Sequence, residues 1–197
     1  MHRLTLTHYS RLTLFAVALL GCATVPARAA TYAIDPSHTF VTFEIMHFGT
    51  STNRGRFSTK AGEMQFDRDA QTGQIDIAIE TESVNTGTPS FDRILQSSAI
   101  LNSVAFPTAQ FSATDFNFVD GKVARVNGHL TLVGITKPLT LTAIHFNCYK
   151  SPLTRREVCG GDFEASIDRT DFGVDYLVSW GVAKSVRLLV QIEAIRQ

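Results

Sequence analysis

Acid–base and metal-binding chemistry after the first thirty residues rests on four histidines, namely His38, His47, His129 and His145. His38 and His47 are nine residues apart, and an odd separation along a strand places two side chains on opposite faces. A metal site built on them would need ligands from other strands, so this spacing disfavours one. His47 shares a face with Phe43 and Ile45. The favoured interpretation is a buried histidine satisfied by a hydrogen bond, and the alternative is a contact to the polar head of a ligand.

Motifs for nucleophilic catalysis are missing from the sequence. It has no Gly-x-Ser-x-Gly elbow, no phosphate-binding glycine loop and no His-Glu-x-x-His pattern. Arg169, close to Asp171, is interpreted as a residue that fixes a turn rather than as a catalytic group. Arg56 either holds the first turn or contacts a polar head. The residues therefore favour a protein that is not an enzyme and that has no catalytic site, no metal and no resident cofactor.

The cysteines are three, at positions 22, 148 and 159. If Cys22 is removed or acylated during export, Cys148 and Cys159 remain as a pair, and a pair in an exported chain is most simply a disulfide. Closing a loop of this length contributes about 3 kcal/mol by the chain-entropy estimate. The sequence predicts a structural Cys148–Cys159 bridge.

The first 29 residues have the pattern of a secretory signal peptide. Arg3 and Arg11 supply positive charge, and residues 12–20 (LTLFAVALL) form an apolar run that is too short to span a bilayer. Residues 27–29 (ARA) place small residues at the −3 and −1 positions of a cleavage site. We expect a signal peptide over residues 1–29, a single domain over residues 30–197, and a periplasmic location.

A second cleavage site competes with the first. Residues 19–22 (LLGC) resemble a lipobox, which would make the protein a lipoprotein anchored through Cys22. Leu20 is a less usual residue at its position in a lipobox, so release as a protein without a lipid anchor is favoured. Cleavage after Ala29 removes three arginines and no acid, which leaves 15 basic against 18 acidic residues and a net charge of −3. This balance excludes a basic surface for nucleic acid.

Alternating hydrophobicity dominates the mature chain. Ile75, Ile77 and Ile79 alternate with polar or small residues, as in a half-buried strand, and roughly eight such segments occur between turn signals. Residues 88–101 differ: Thr88 can cap, Pro89 suits the first helical position, and a short helix is predicted. The pattern indicates a closed barrel or a two-sheet sandwich. Its 13 mature phenylalanines fill a core or line a cavity, and the pattern alone favours the filled core.

Together these segments resemble the YceI-like family of exported lipocalin-like proteins. The resemblance runs from Tyr32 to Ala194 and is carried by the order and spacing of several short stretches. They are residues 32–38 (YAIDPSH), 55–57 (GRF), 83–87 (SVNTG), 106–108 (FPT), 128–138 (GHLTLVGITKP) and 167–173 (IDRTDFG).

The resemblance implies an all-β fold, an eight-stranded antiparallel lipocalin-like β-barrel with one short helical segment near residues 88–101. It also implies an elongated hydrophobic interior that holds a polyisoprenoid chain, such as an isoprenoid quinone, and so reverses the preference for a filled core. The sequence departs from the family at the helix, where Asp92 and Leu95 are present but the usual histidine is absent. This departure leaves the choice of head group open.

The function expected from the resemblance is a periplasmic binding protein or carrier for an apolar isoprenoid-type lipid or quinone. The residues expected to contact the ligand point inward from the strands or the helix: Val41, Phe43, Ile45, His47, Phe57, Ile77, Phe91, Leu95, Phe111, Leu130, Leu141, Phe163 and Leu188. The alternatives are an enzyme acting on a small apolar or polyprenyl substrate, and a solid-cored interaction module. Phe40, Met46 and Phe48 on the outer face fit the interaction module or a homodimer surface. A transient contact with a membrane or a membrane protein is a further expected partner.

Overall fold

A computed structural model describes residues 29–197 of the chain. This part contains one α-helix, α1 (Pro89–Gln96), and nine strands. The strands are β1 (Ala30–Ile34), β2 (Phe40–His47), β3 (Ser51–Asp67), β4 (Thr72–Glu80), β5 (Thr108–Val119), β6 (Lys122–Leu132), β7 (Ile135–Lys150), β8 (Glu157–Asp168) and β9 (Ser185–Arg196). Among the described residues, no helix has the length and apolar character needed to cross a bilayer.

The nine strands occupy eight positions around a closed barrel. β1 and β2 both lie between β3 and β9: Tyr32 pairs with Met64 and Arg196, whereas Phe43 pairs with Gly55 and Leu188. A turn separates the two short strands, so together they fill one strand position of the barrel. All pairings are antiparallel, and β3–β4 pairing completes the circuit. The predicted eight-stranded antiparallel barrel is confirmed.

The two ends of the barrel differ because the connections differ in length. At one end, which we call the hairpin end, strands are joined by short turns at 68–71 and 120–121 and by the loop 151–156. At the other, the helix end, two long connections cross the opening, residues 81–107 with α1 and residues 169–184. These two connections cover the interior from above.

The hairpin half of the interior is filled by aromatic rings. Phe66 stacks on Phe118 with 6.1 Å between ring centroids, and it also packs against Phe146 at 5.5 Å and Tyr32 at 6.5 Å. Phe66 and Tyr32 are each only 3% exposed. The rings therefore meet across the middle of the barrel at this end, and here the filled core expected from the pattern alone is present.

The helix α1 is shorter than the predicted segment 88–101. It starts at Pro89 with Thr88 as its N-cap, and the Thr88 carbonyl accepts hydrogen bonds from the amides of Phe91 and Asp92. The Thr88 side chain makes no capping bond. The helix ends at Gln96 because Ser97 has extended backbone angles, and the chain continues through turns to β5.

The predicted disulfide joins β7 to β8. Cys148 and Cys159 face each other in the strand register, their Cα atoms are 4.1 Å apart, and their sulfurs are bonded. Cys159 is fully buried among residues of the hairpin half. The bridge therefore reinforces two strands that are already paired.

Candidate functional site

A cavity of about 230 Å³ occupies the helix half of the barrel. Its walls are inward-facing strand residues, including Val41 on β2, Ile79 on β4, Ala109 on β5 and Leu188 on β9. Strand alternation sends every second side chain inward, and near the helix end these inward side chains do not meet. The barrel is therefore filled in one half and hollow in the other.

Most of the residues predicted to contact a ligand border this cavity. The nine that line it are Val41, Phe43, Ile45, His47, Phe57, Phe91, Leu95, Leu130 and Leu188. The other four, Ile77, Phe111, Leu141 and Phe163, also face inward, but they belong to the packed core and lie outside the cavity lining. Ligand contact by any of the thirteen stays a prediction.

On β4 and β5 the two groups lie at different depths along the strand. On β4, Ile79 borders the cavity and Ile77, two residues nearer the hairpin end, is packed. On β5, Ala109 borders the cavity and Phe111 is packed. The four residues therefore have the predicted orientation but a different depth, and they support the floor of the cavity.

Part of the lining comes from the two long connections, where no alternation marks it. Val174, Tyr176, Leu177 and Val182 lie in residues 169–184, and Ile100 and Leu101 follow α1. Sequence reasoning missed these six because they belong to turns rather than to strands. Their only signal is that apolar residues recur in a stretch with no regular period.

Polar groups at the mouth of the cavity are few. His47 and Tyr176 line the cavity and are exposed, so they mark where it meets solvent. The favoured interpretation of His47 as a buried histidine is wrong, because His47 is the last residue of β2 and its ring lies against Phe48, with 4.6 Å between centroids. The alternative, contact with the head of a ligand, stays open.

Two further polar side chains of the lining are buried. Thr81 is satisfied, because its hydroxyl donates to the Phe106 carbonyl at 2.7 Å. Arg169 is 7% exposed; its Nε donates to the Ala183 carbonyl at 2.9 Å and its Nη1 to the Val174 carbonyl at 3.2 Å. Burial lowers the pKa of the Arg169 guanidinium, because burial disfavours the charged form.

Arg169 thus fixes its turn through backbone carbonyls. The predicted turn-fixing role is confirmed by these two bonds. The partners differ from the expected one, because within residues 29–197 no ion pair joins Arg169 to Asp171. Arg56 lies outside the cavity lining, and its guanidinium carbon is 4.1 Å from the centroid of the Phe40 ring. The Arg56 backbone also pairs with Asn85, which ties β3 to the connection that carries α1.

The chemistry available in the lining is burial of apolar surface. The lining carries no carboxylate, and its polar side chains are His47, Asn53, Thr81, Arg169 and Tyr176. The one metal-type group that the described residues form is Cys148, Glu157 and Cys159, and both of its sulfurs are used by the disulfide. The site is suited to holding an apolar molecule by transfer from water, with a small number of polar contacts.

Comparison with known proteins identifies this architecture. A family model of the YceI-like domain matches residues 32–194. The chain belongs to the YceI-like family. A YceI protein of Salmonella arizonae is 32% identical over 186 residues, which cover 93% of this chain and 96% of the relative. A relative from Pseudomonas paraeruginosa is 35% identical over 174 residues, which cover 87% and 90%.

Solved structures share the YceI-like fold at low sequence identity. Burkholderia cenocepacia BcnA has a TM-score of 0.65 at 18% identity and covers 81% of this chain and 98% of its own. A polyisoprenoid binding domain from Saccharophagus degradans, implicated in plant cell wall breakdown, has a TM-score of 0.60 at 14% identity, with 86% and 99% covered. At these identities the likeness shows the barrel fold alone.

Proposed function

We propose that this YceI-like protein is a periplasmic carrier that binds an isoprenoid-type lipid, such as a polyprenyl chain or an isoprenoid quinone, in the helix half of its barrel. The observation that carries the proposal is the apolar cavity inside a closed barrel, whose lining has no carboxylate. The similar domain from Saccharophagus degradans, which is a polyisoprenoid binding domain, supports the ligand class.

The energetics of burial are sufficient without ionic contacts. Each buried methylene contributes about 0.8 kcal/mol, so ten chain carbons contribute roughly 8 kcal/mol before ordering costs are subtracted. Lost motion of the chain and of the lining side chains reduces this gain. Selectivity for long chains over short ones follows, because the gain grows with every carbon buried.

The size of the cavity indicates how a long chain enters. Pockets that enclose a drug-sized ligand measure about 300–1,000 Å³, and this cavity measures about 230 Å³. A long chain therefore needs more room than the present conformation has. Phe43, Phe57 and Phe91 line the cavity, and the Phe43 and Phe57 rings are tilted at 5.7 Å. We infer that displacement of α1 and rotation of these rings widen the cavity when the chain enters.

Native mass spectrometry of protein purified without detergent tests the proposal. We expect a bound species of lipid mass, which extraction with organic solvent removes and which added isoprenoid lipid restores. A clean apo mass in repeated preparations, with no binding of added lipid, would contradict it. The cavity also argues against the solid-cored interaction module, which would need a filled interior.

The periplasmic location and the signal peptide are part of the proposal. The predicted leader and the Cys22 alternative fall, apart from Ala29, outside the described residues. The mass of the mature protein tests them: cleavage after Ala29 gives a chain that starts at Ala30, whereas a lipoprotein starts at an acylated Cys22. Labelling with an alkyne fatty acid gives an independent readout.

The partner proposed for loading is a membrane surface or a membrane protein. Trp180 is 76% exposed and Phe48 is 47% exposed, and both lie next to cavity-lining segments at the helix end. Exposed aromatic side chains beside the mouth suit transient contact with lipid, because their rings partition into the interface of a bilayer. The homodimer stays a prediction.

A further inference from the structure

Arg169 has a hydrogen-bond donor that nothing in the described chain satisfies. Its Nε and Nη1 donate to the carbonyls of Ala183 and Val174, but its Nη2 is buried without a partner. Arg169 is only 7% exposed, and it belongs to the cavity lining. Among residues 29–197 no carboxylate oxygen lies within 4.0 Å of its guanidinium.

This arrangement is unfavourable for the protein alone. A buried donor without an acceptor loses its hydration and gains nothing in return, and the penalty is larger when the group is charged. Two backbone carbonyls supply partial negative charge but no full countercharge. Asp168 and Asp175 are the acidic groups that act on Arg169 from a distance. Buried polar groups are nearly always hydrogen-bonded, so the unsatisfied Nη2 indicates an acceptor from outside the chain.

The position of Arg169 suits a ligand head rather than a tail. It directly follows β8 at the helix end, where the exposed lining residues His47 and Tyr176 mark the mouth. The floor of the cavity lies towards the hairpin end and is formed by apolar side chains such as Ala109 and Leu130. A chain that enters tail first therefore leaves its head near the level of Arg169.

We propose that Arg169 donates a hydrogen bond, through Nη2, to an oxygen acceptor at the head of the bound lipid. This inference rests on the proposed function and narrows its ligand class. The ligand is an isoprenoid chain that carries a carbonyl or an anionic phosphate, and a plain hydrocarbon of the same length binds about tenfold or more weakly. Both head chemistries offer the oxygen that a guanidinium binds well.

An equimolar competition read by native mass spectrometry tests the inference on the wild-type protein. The probes are geranylgeranyl phosphate, a quinone with a tail of four isoprene units, and a saturated hydrocarbon of matched chain length. A hydrogen bond to a charged donor corresponds to about a tenfold or greater preference. We expect the phosphate or the quinone to exceed the hydrocarbon by this factor, and the stronger of the two identifies the head.

Variants separate head recognition from turn fixing. Arg169→Met keeps most of the length but removes all donors, and Arg169→Lys keeps the charge with a different geometry. We expect Arg169→Met to remove the preference for the oxygen-bearing probe, whereas Arg169→Lys retains part of it. A purely structural role would weaken all three probes together. Arg125→Met, on an exposed arginine of β6, is the matched control and should keep the wild-type ratio.

Each outcome decides a different question. If the wild-type protein binds all three probes equally, this inference fails and the proposed carrier function stands. If none of the probes binds, both fail. If Arg169→Met does not fold, Arg169→Lys decides, because an unchanged wild-type ratio in this variant would assign the head contact to another polar group at the mouth, such as His47.

Discussion

At the scale of single residues, Ala109 and Phe111 face the interior from the same strand, β5, and only Ala109 borders the cavity. The small side chain of Ala109 leaves space in the cavity, whereas the ring of Phe111 fills the barrel two residues nearer the hairpin end. We predict that Ala109→Phe fills this space and lowers the affinity for isoprenoid lipid at least tenfold. Its cost in stability is small where the ring occupies existing space, whereas overpacking elsewhere costs about 1–3 kcal/mol.

Titration calorimetry or native mass spectrometry with geranylgeranyl phosphate measures the effect of Ala109→Phe. The matched control is Ile144→Phe, which adds a ring at an outward position of β7 that is 56% exposed. If Ala109→Phe binds the lipid unchanged and its circular dichroism matches the wild type, the ligand does not bind in this cavity.

A second residue-scale prediction concerns the turn between β1 and β2. Asp35 accepts hydrogen bonds from the Ser37 amide at 2.9 Å and hydroxyl at 2.6 Å, and His38 Nδ1 lies 2.9 Å from its other oxygen. Desolvation opposes ionisation of Asp35, but the bonds from Ser37 and His38 outweigh it and lower its pKa. The hydrogen bond to Asp35 raises the pKa of His38.

These two shifts give stability a defined pH window. The contribution of His38 is complete below its unfolded pKa of about 6.5 and is lost as the pH rises through its raised folded value. The contribution of Asp35 is complete above about pH 3.9 and is lost as the pH falls through its lowered folded value. We expect His38→Gln to lower Tm most near pH 5, between the two pKa values, and least at alkaline pH, above the raised folded pKa of His38. Thermal unfolding across this range checks it, and a Tm difference independent of pH would contradict the pairing.

Strand alternation predicts which side chains face inward, and the structure confirms that orientation for the predicted strand positions, including Val41 and Phe163. It does not predict whether two inward side chains meet across the barrel, because that depends on the summed volume of residues from eight strands. Val41 and Phe163 have the same alternation signal, yet one borders a void and the other is packed. His47 is a related case, since parity gives its face but not its place at a strand end.

At the scale of elements, a carboxylate fixes the start of α1 to the segment that precedes it in the connection 81–107. Asp92 Oδ1 accepts hydrogen bonds from the Thr86 amide at 2.7 Å and the Thr86 hydroxyl at 2.6 Å. Phe91 and Leu95 of the same helix face the cavity. Asp92 therefore fixes the helix on the segment that leads into it, together with Gln96, whose Nε2 donates to the Glu82 carbonyl at 2.8 Å.

We predict that Asp92→Ala loosens the cover more than the barrel. Loss of these bonds costs about 1–2 kcal/mol. Hydrogen exchange should become faster in residues 86–107, and lipid dissociation should become faster as well, with strand amides unchanged. Asp92→Asn retains an oxygen acceptor and should show a smaller effect. Faster exchange throughout the strands would instead show that Asp92 supports the whole fold.

The elements themselves were predictable to different degrees. The helix start follows from Thr88 and Pro89, but its early end at Gln96 depends on Ser97, whose hydroxyl donates to the Ile94 carbonyl. The apolar residues of the connection 169–184 recur with no regular spacing, so its sequence does not predict that Val174 and Leu177 line the cavity. Turn segments gain their burial from the elements that they cover, and this is a tertiary effect that local pattern does not contain.

At the scale of the whole molecule, the barrel divides into a packed half and a hollow half, and in the proposed function the first supplies stability and the second binds the lipid. The aromatic cluster around Phe66 and the disulfide lie in the packed half, whereas α1 and Arg169 lie at the opposite end. Eight-stranded barrels are just wide enough for side chains to fill them or to hold one ligand. In this chain one half of the barrel is filled by side chains and the other half encloses a cavity.

The division predicts that stability and binding respond separately to loss of the disulfide. The double variant Cys148→Ser, Cys159→Ser removes a cross-link that closes a loop with a sequence separation of 11 residues, worth about 3 kcal/mol by chain entropy. For a domain of this size, 1 kcal/mol corresponds to about 2–4 °C, so Tm should fall by roughly 6–12 °C.

Lipid affinity of the same variant, measured well below its Tm, should stay within about threefold of the wild type, because neither cysteine lines the cavity. The strand register Cys148↔Cys159 also keeps β7 and β8 together without the bond. Native mass spectrometry with geranylgeranyl phosphate, beside thermal unfolding of the same sample, separates the two quantities. A tenfold loss of affinity would show that the hairpin half controls the cavity, since strain at the packed end would then reach the helix end through the shared strands.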